Sequence, residues 1–532
     1  MGRSEQGPPR EGERATNLAA ATPDGPTDFS TAATRRQIRG SALLLAGRVL
    51  SLGINFAVQV LIVRYLSKEA YGAFAYALSI ALFGQTIVTF GLDRAVTRFV
   101  PMYDERHDYA RVFGALFLVG TTVIGLGLAF IALVYGLQGL IGQTLIHDQT
   151  ALSLLLILVV LTPVQALDDL LTGLFAVLAA PRAIFFRKYL LTPSFRLVVV
   201  IALILGDAGV FFLSGGYVVA AAVGVAIYAS MLVRTLRTRG LLDHFDRHRM
   251  RIPAREILSF TIPLLTTDLV YAVMAVSDAI LLGHFRGSTA VAALRAVQPA
   301  AQLNMLAFST FLLLFTPHVA RLFARGDRAG VGRLYWQTTV WIAVVSFPIF
   351  VLTFALAKPL TLLLFGPRYE SSAVLLGILA LGYYFQAALG FNGTTLMVYG
   401  RLKYIVVVNV LAVLVNIGLN VVLIPAYGTV GAAIGTAGTL VAHNVLKQAA
   451  LQTATGISFF RRSYVSTYAS IVVAATGVLI VSHAIDSRLA QLSLAVVATV
   501  AIFGVNHRVL EIGQTFPELM RFPGLRRLVR GA

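Results

Sequence analysis

VFGALFLVGTTVIGLGLAFIALVYG, residues 112–136, carries no charged side chain. A bilayer's hydrocarbon core is about 30 Å thick, so roughly 20 apolar residues in an α-helix cross it. Lipid offers no water to backbone N–H and C=O groups, which leaves helices and closed barrels as spanning structures. The apolar residues here run without interruption instead of alternating, which specifies a helix. Arg94, Arg98, Arg106 and Arg111 precede the stretch, and no Lys or Arg occurs in residues 137–150 after it. Basic residues are retained on the cytoplasmic side, so this helix carries its own direction, from inside to outside.

Working outward from it, apolar stretches recur at 41–63, 72–92, 151–180, 186–206, 210–233, 257–283, 289–316, 334–364, 372–398, 403–424, 428–449, 464–484 and 489–505. Together these predict an all-α integral membrane protein of 14 transmembrane helices. The 43 Lys and Arg residues test the count. With the N-terminus inside, all but nine fall on cytoplasmic connections, tails or the cytoplasmic ends of spans. Arg64, Lys68, Arg286, Lys358, Arg368 and Arg488 lie outside, and Arg48, Arg196 and Arg295 lie within spans. A missed span would scramble this sorting, so both termini are expected in the cytoplasm of a multi-pass plasma-membrane protein.

Composition agrees: 57% of the 532 residues are hydrophobic and 13% charged, where a soluble domain is nearer a quarter charged. There is no cysteine, which excludes disulfides and thiolate metal sites. The net charge of +19 sits at span ends and not on a soluble face, so no nucleic-acid partner is expected. Residues 1–35 read as a disordered cytoplasmic tail. No apolar core precedes a cleavage site there, so span 1 is expected to act as its own insertion signal. The motif Asn392-Gly393-Thr394 falls inside a span and is discounted as a glycosylation site.

The halves resemble each other. Arg64 to Tyr76, at the turn between spans 1 and 2, parallels Gly283 to Arg295 between spans 7 and 8. Spans 1–6 (36–233) and 7–12 (257–450) therefore read as two six-helix bundles related by pseudo-two-fold symmetry. A basic linker (234–256) joins them, spans 13–14 (451–510) are appended, and a basic tail (511–532) follows. Six spans per repeat put the axis along the membrane normal.

Asn416 to Ala433, Ile262-Pro263 with Asp278 to Gly283, and Leu362 to Gly366 with Tyr369 resemble signatures of polysaccharide-export flippases. These Wzx-type proteins form the polysaccharide transporter branch of the multidrug/oligosaccharidyl-lipid/polysaccharide exporter superfamily. The resemblance implies a V-shaped pair of bundles around a central cavity and transport of a lipid-linked sugar. It also implies a lipid-tail groove at spans 13–14. Many relatives carry Tyr where this chain has Arg295.

Charges inside a bilayer cost roughly 2.5–3.5 kcal/mol each on insertion scales, so they mark function or a buried pair. Arg48, about two turns into span 1, is a candidate diphosphate anchor, or it snorkels to lipid headgroups. Arg295 and Asp278 lie at similar depths on antiparallel neighbours and can meet, as a structural pair or as a gate that phosphate opens. Asp268 is expected near mid-depth without an obvious basic partner. It is a candidate for H+ or Na+ coupling, or a carboxylic acid bonded to Thr266 or Thr267. Asp168 and Asp169 are expected to pair with Arg196.

Asn409, Asn416 and Asn420 share one face of span 11, where they bind sugar hydroxyls or join helices. Asn55, Gln59, Gln298 and Gln302 are similar, and all seven amides but Asn409 are candidate substrate ligands alongside Arg48 and Arg295. The loop Asp243 to Arg249 has metal-capable side chains but sits in the most basic connection, and reads as a solvated loop. The expected function is flipping of a polyprenyl-diphosphate-linked oligosaccharide by alternating access, without cofactor or catalysis. Membrane lipids and pathway glycosyltransferases or a polymerase are the expected partners. The competing readings are a cation-coupled multidrug antiporter, a lipid II flippase, and a membrane glycosyltransferase or polymerase. No external loop is long enough for a catalytic domain.

Overall fold

A computed structural model describes residues 28–178, 181–246 and 248–510. The tail before residue 28, the tail after residue 510, Arg247 in the metal-capable loop and the side chains of Pro263, Thr266 and Thr267 lie outside the described residues. Every described regular element is helical. In the first half these are α1 (Asp28–Tyr65), α2 (Lys68–Thr89), α3 (Leu92–Glu105), α4 (Tyr109–Gly136), α5 (Gln149–Leu158), α6 (Leu161–Val177), α7 (Thr192–Leu205) and α8 (Val210–Thr238). The second half holds α9 (Ala254–Arg286), α10 (Ser288–Gln302), α11 (Leu306–Ala324), α12 (Arg328–Phe354), α13 (Ala357–Phe365), α14 (Ala373–Leu389), α15 (Phe391–Val398) and α16 (Leu402–Thr455). Then come α17 (Val465–His483) and α18 (Arg488–Val505). Because α1 begins at Asp28, the last eight residues of the expected disordered tail are helical.

Among the described residues twelve helices are long and apolar enough to cross a membrane, or 13 if the bent run through α10 and α11 is one span. This is below the 14 expected, and the count takes α16 as a single span. A straight 54-residue helix would extend about 80 Å, more than twice the hydrocarbon thickness. Instead α16 breaks at Gly428, whose φ of 58° and ψ of −129° only glycine adopts without strain. Its two parts fold back on each other, since Asn416 Nδ2 donates to Thr439 Oγ1 at 3.2 Å. Aliphatic side chains on the outer faces remain exposed, Leu205 and Val473 among them at 83% and 71%. Such a surface suits lipid and not water.

The largest core joins the two halves. Phe74 and Tyr76 of α2 pack with Leu294 and Val297 of α10 and with Leu375 and Leu379 of α14. Gly72 makes this approach feasible, because a Cβ there would lie 2.0 Å from the Ser288 carbonyl oxygen. Arg64 donates to the carbonyls of Leu363 and Leu364, and Arg368 donates to those of Val63 and Arg64. Each arginine thus satisfies the orphan carbonyls ending a helix of the opposite half. Ser288 adds a hydrogen bond to Asp148 across the same end.

Gly72→Val should force α2 away from backbone that cannot yield. Because the chain has no cysteine of its own, spin labels on Glu69→Cys and Leu363→Cys report only on this end. Their separation should lengthen in Gly72→Val, and an unchanged distance would show that the contact is not close-packed.

Candidate functional site

The α1 residues Arg48, Ser51, Asn55 and Gln59 recur at helical spacing and share one face. Arg295, Gln298 and Gln302 form a matching stripe on α10. The stripes meet at one end and part at the other. At the closed end Gln59 donates to Tyr71 Oη and to the Arg295 carbonyl (3.4 Å); within the second half Gln298 and Gln302 donate to Tyr383 Oη at 3.3 and 3.1 Å, and Tyr383 faces the cleft. At the open end lies a cleft of about 440 Å³ lined by Arg48, Ser51 and Asn55 from α1 and by Gln302, Ser309, Thr310 and Gln386 from the second half.

Ser51, Asn55 and Tyr189 are shared with a second cavity of about 260 Å³, a chamber inside the first half. Gln85, Asp168, Asp169, Arg187, Lys188, Arg196 and Tyr217 line it. Pro193 supplies no N–H to bond the Tyr189 carbonyl, and the chain before α7 is a π-helix over Phe185–Leu191. There the Thr192 N–H reaches back five residues to the Arg187 carbonyl. The wider turn carries Arg187 inward until it is 2% exposed. Its Nη2 donates to Asp168 Oδ1 at 2.7 Å and its Nε to the Gly224 carbonyl at 2.8 Å. A Cβ at residue 224 would lie 2.5 Å from Nη2, so this glycine makes the seat.

Asp169 accepts instead from Gln85 at 2.8 Å. Arg196 donates to Asn55 Oδ1 at 3.4 Å and lies 5.6 Å from the Tyr217 ring centre. The expected pairing of Asp168 and Asp169 with Arg196 is therefore corrected: the acids bind Arg187 and Gln85. Arg187 and Lys188 were sorted with a connection, and both line the chamber. No described carboxylate lies within ion-pair reach of Arg196 or Lys188, so both cations are available to an anion. The signal that could have found them is Pro193 behind two cations in an apolar run.

Other candidates lie elsewhere. Arg295 is 18% exposed at its side chain and reaches Asp278 at 3.2 Å, Gln298 Oε1 at 2.7 Å and the Ala275 carbonyl at 3.1 Å. Asp278 also accepts from the Ala279 N–H at 2.8 Å. Arg295 lines neither the cleft nor the chamber. Asn416 is buried, accepting from Ser277 and donating to Thr439, and so joins α9 to both parts of α16. Asn420 is buried without a hydrogen-bond partner, and Asn409 meets His443 at 2.9 Å. These asparagines sit between helices and outside both cavities.

The expectation that Asp268 lacks a basic partner is also corrected. Arg94 of α3 bonds it at 2.5 Å. The pair ties the two halves together and is partly exposed, with side chains 46% and 20% accessible. Arg94→Glu should shift the balance between open and closed forms only about two- to fivefold, as exposed pairs are weak. Arg94→Glu with Asp268→Arg should restore it, measured as the distance between labels on α3 and α9.

A many-spanning helical protein with a polar cleft of this size between its halves is a membrane transporter in its architecture. The chain belongs to the polysaccharide biosynthesis protein family, whose model matches residues 38–323, and a MatE model matches residues 263–422. That places it in the polysaccharide transporter branch of the multidrug/oligosaccharidyl-lipid/polysaccharide exporters. It is 23% identical over 423 residues to an uncharacterized membrane protein of Methanocaldococcus jannaschii, covering 75% of this chain and 81% of that one. It is 26% identical over 343 residues to the succinoglycan biosynthesis transport protein ExoT of Rhizobium meliloti, covering 62% and 63%. Its fold is similar to that of the lipid II flippase MurJ in an inward closed conformation. That match has a TM-score of 0.68 and 17% identity, covering 89% of this chain and 99% of the other.

Proposed function

We propose that this protein flips a polyprenyl-diphosphate-linked oligosaccharide, or a related lipid-linked sugar, across the plasma membrane. The observation that carries this is the joined cleft and chamber, where Arg48, Arg187, Lys188 and Arg196 outnumber Asp168 and Asp169. An anionic diphosphate is attracted there, and guanidinium forks bind its oxygens in pairs. Ser51, Asn55, Gln302, Ser309 and Gln386 offer hydrogen bonds to sugar hydroxyls. The polyprenyl tail stays in lipid.

In this reading the chain makes 14 crossings, with α16 counted as two at Gly428, in two six-helix bundles followed by α17 and α18. The termini are cytoplasmic, as the basic residues require. The cleft then opens to the cytoplasm, and the Arg64 and Arg368 bonds seal the outer end. Flipping requires those bonds to break while the cleft closes, and a gradient of H+ or Na+, or the membrane potential, must favour one state. Glycosyltransferases or a polymerase of the same pathway would supply or consume the cargo.

A second reading, a cation-coupled multidrug antiporter, draws on the MatE match over 263–422. The test uses proteoliposomes carrying fluorescent polyprenyl-diphosphate sugar, lipid II or a cationic dye, with and without ion gradients. Protein-dependent movement of the lipid-linked sugar is expected. Dye movement alone would replace this reading with the second, and movement of lipid II alone would narrow the cargo to that lipid.

A further inference from the structure

Away from the cleft and chamber, a groove of about 440 Å³ lies where α12 begins and α16 ends. Arg328, Arg333 and Trp336 line one side, and Gly456, Ser458 and Arg461 the other. The segment after α16 is held in place: Ile457 is buried in the core, and Gln448 Nε2 donates to the Ser458 carbonyl at 3.3 Å. The nearby acid is already engaged. Asp327 Oδ1 accepts from the Gly330 N–H at 2.7 Å, and its Oδ2 lies 3.8 Å from Arg333.

Two further observations point to what belongs there. Trp336 is 3% exposed, and its indole N–H is buried without a hydrogen-bond partner. Its ring stacks at 6.3 Å on Tyr464, whose ring centre lies 5.9 Å from the Arg461 guanidinium. An unsatisfied buried donor is costly, and the four side chains Arg328, Arg333, Trp336 and Arg461 that line the groove present donors only. In addition, Phe459 and Phe460 are exposed at 40% and 55% and are followed directly by Arg461 and Arg462. Exposed aromatics beside arginines at the start of an apolar helix mark the level of lipid headgroups.

We propose that this groove binds the phosphate of an anionic membrane phospholipid. Arg328, Arg333 and Arg461 hold the phosphate oxygens, the Trp336 N–H contributes a further hydrogen bond, and Phe459 and Phe460 rest among the acyl chains. Occupancy clamps the segment leading into α17 onto α12, joining the appended helices to the second half. The inference is independent of the cargo of the cleft.

The test compares retention of phosphatidylglycerol and phosphatidylcholine by full-length protein in a neutral detergent, read by native mass spectrometry. Wild type should retain phosphatidylglycerol about tenfold more strongly, and Arg333→Gln with Arg461→Gln should abolish the preference. Should that double variant fail to fold, Arg461→Gln alone, on an exposed segment, is expected to weaken it severalfold. Since the chain has two tryptophans, Trp341→Phe leaves Trp336 as the sole indole. Its fluorescence should shift with phosphatidylglycerol vesicles and not with phosphatidylcholine vesicles. Equal retention of the two lipids, or an undiminished preference in a folded arginine variant, would overturn the proposal. So would an equal fluorescence shift with inorganic phosphate alone, which would assign the groove to a soluble anion.

Discussion

Arg48→Gln combined with Arg196→Gln is expected to slow transfer of lipid-linked sugar in proteoliposomes about 100-fold. Each charge-assisted hydrogen bond to a phosphate contributes about 1.5–3 kcal/mol, and about 1.4 kcal/mol is a factor of ten. Arg48 lines the cleft mouth, and Arg196 stands deeper, past Asn55, in the chamber. Neither has a carboxylate partner among the described residues, so removing them strands no buried acid. The melting temperature should therefore stay near that of wild type while transport falls. Lysine at both positions should restore part of the rate, since it keeps the charge and loses the bidentate fork. Unimpaired transport in the glutamine double variant would refute the anchoring role of these two cations.

Asp168→Ala should lower stability more than any other single change considered, by about 3–5 kcal/mol, because it strands a buried guanidinium. Arg187 is 2% exposed, its Nη1 already lacks a partner, and Asp168 is the only acid within ion-pair reach of it among the described residues. Asp168→Asn keeps an acceptor oxygen and should cost less. Replacing both partners with apolar residues, Asp168→Leu with Arg187→Met, should recover the melting temperature, because such pairs gain little over packing. If the double variant also transports, the pair is structural and the anion is left to Arg196 and Lys188. A single Asp168→Ala variant as stable as wild type would mean that the pair does not form.

The polar face of α1 was legible because residues at spacings of three and four must line one side of a helix. Arg48, Asn55 and Gln302 accordingly line the cleft. The same periodicity was silent on depth of contact. It grouped Gln59 and Gln298 with them, although these two lie outside the cleft, Gln59 where α1 already touches α10 and Gln298 bonded within the second half. Arg187 was read as part of a connection because two cations beside a span boundary look like the basic edge of a loop. The π-helix ahead of Pro193 turned that edge inward. Asp268 looked solitary because Arg94, its partner, stands 174 residues away on an element of the other half.

The sequence by itself determined that the chain is helical and crosses a membrane many times. That property follows from a local sum, run length against bilayer thickness. Only the tertiary structure decided which cations meet an acid and which remain free for a ligand. Charge pairing depends on distances of a few ångströms between helices far apart in the chain. Those distances are set by close packing at positions such as Gly72 and Gly224, not by the order of residues along any one helix.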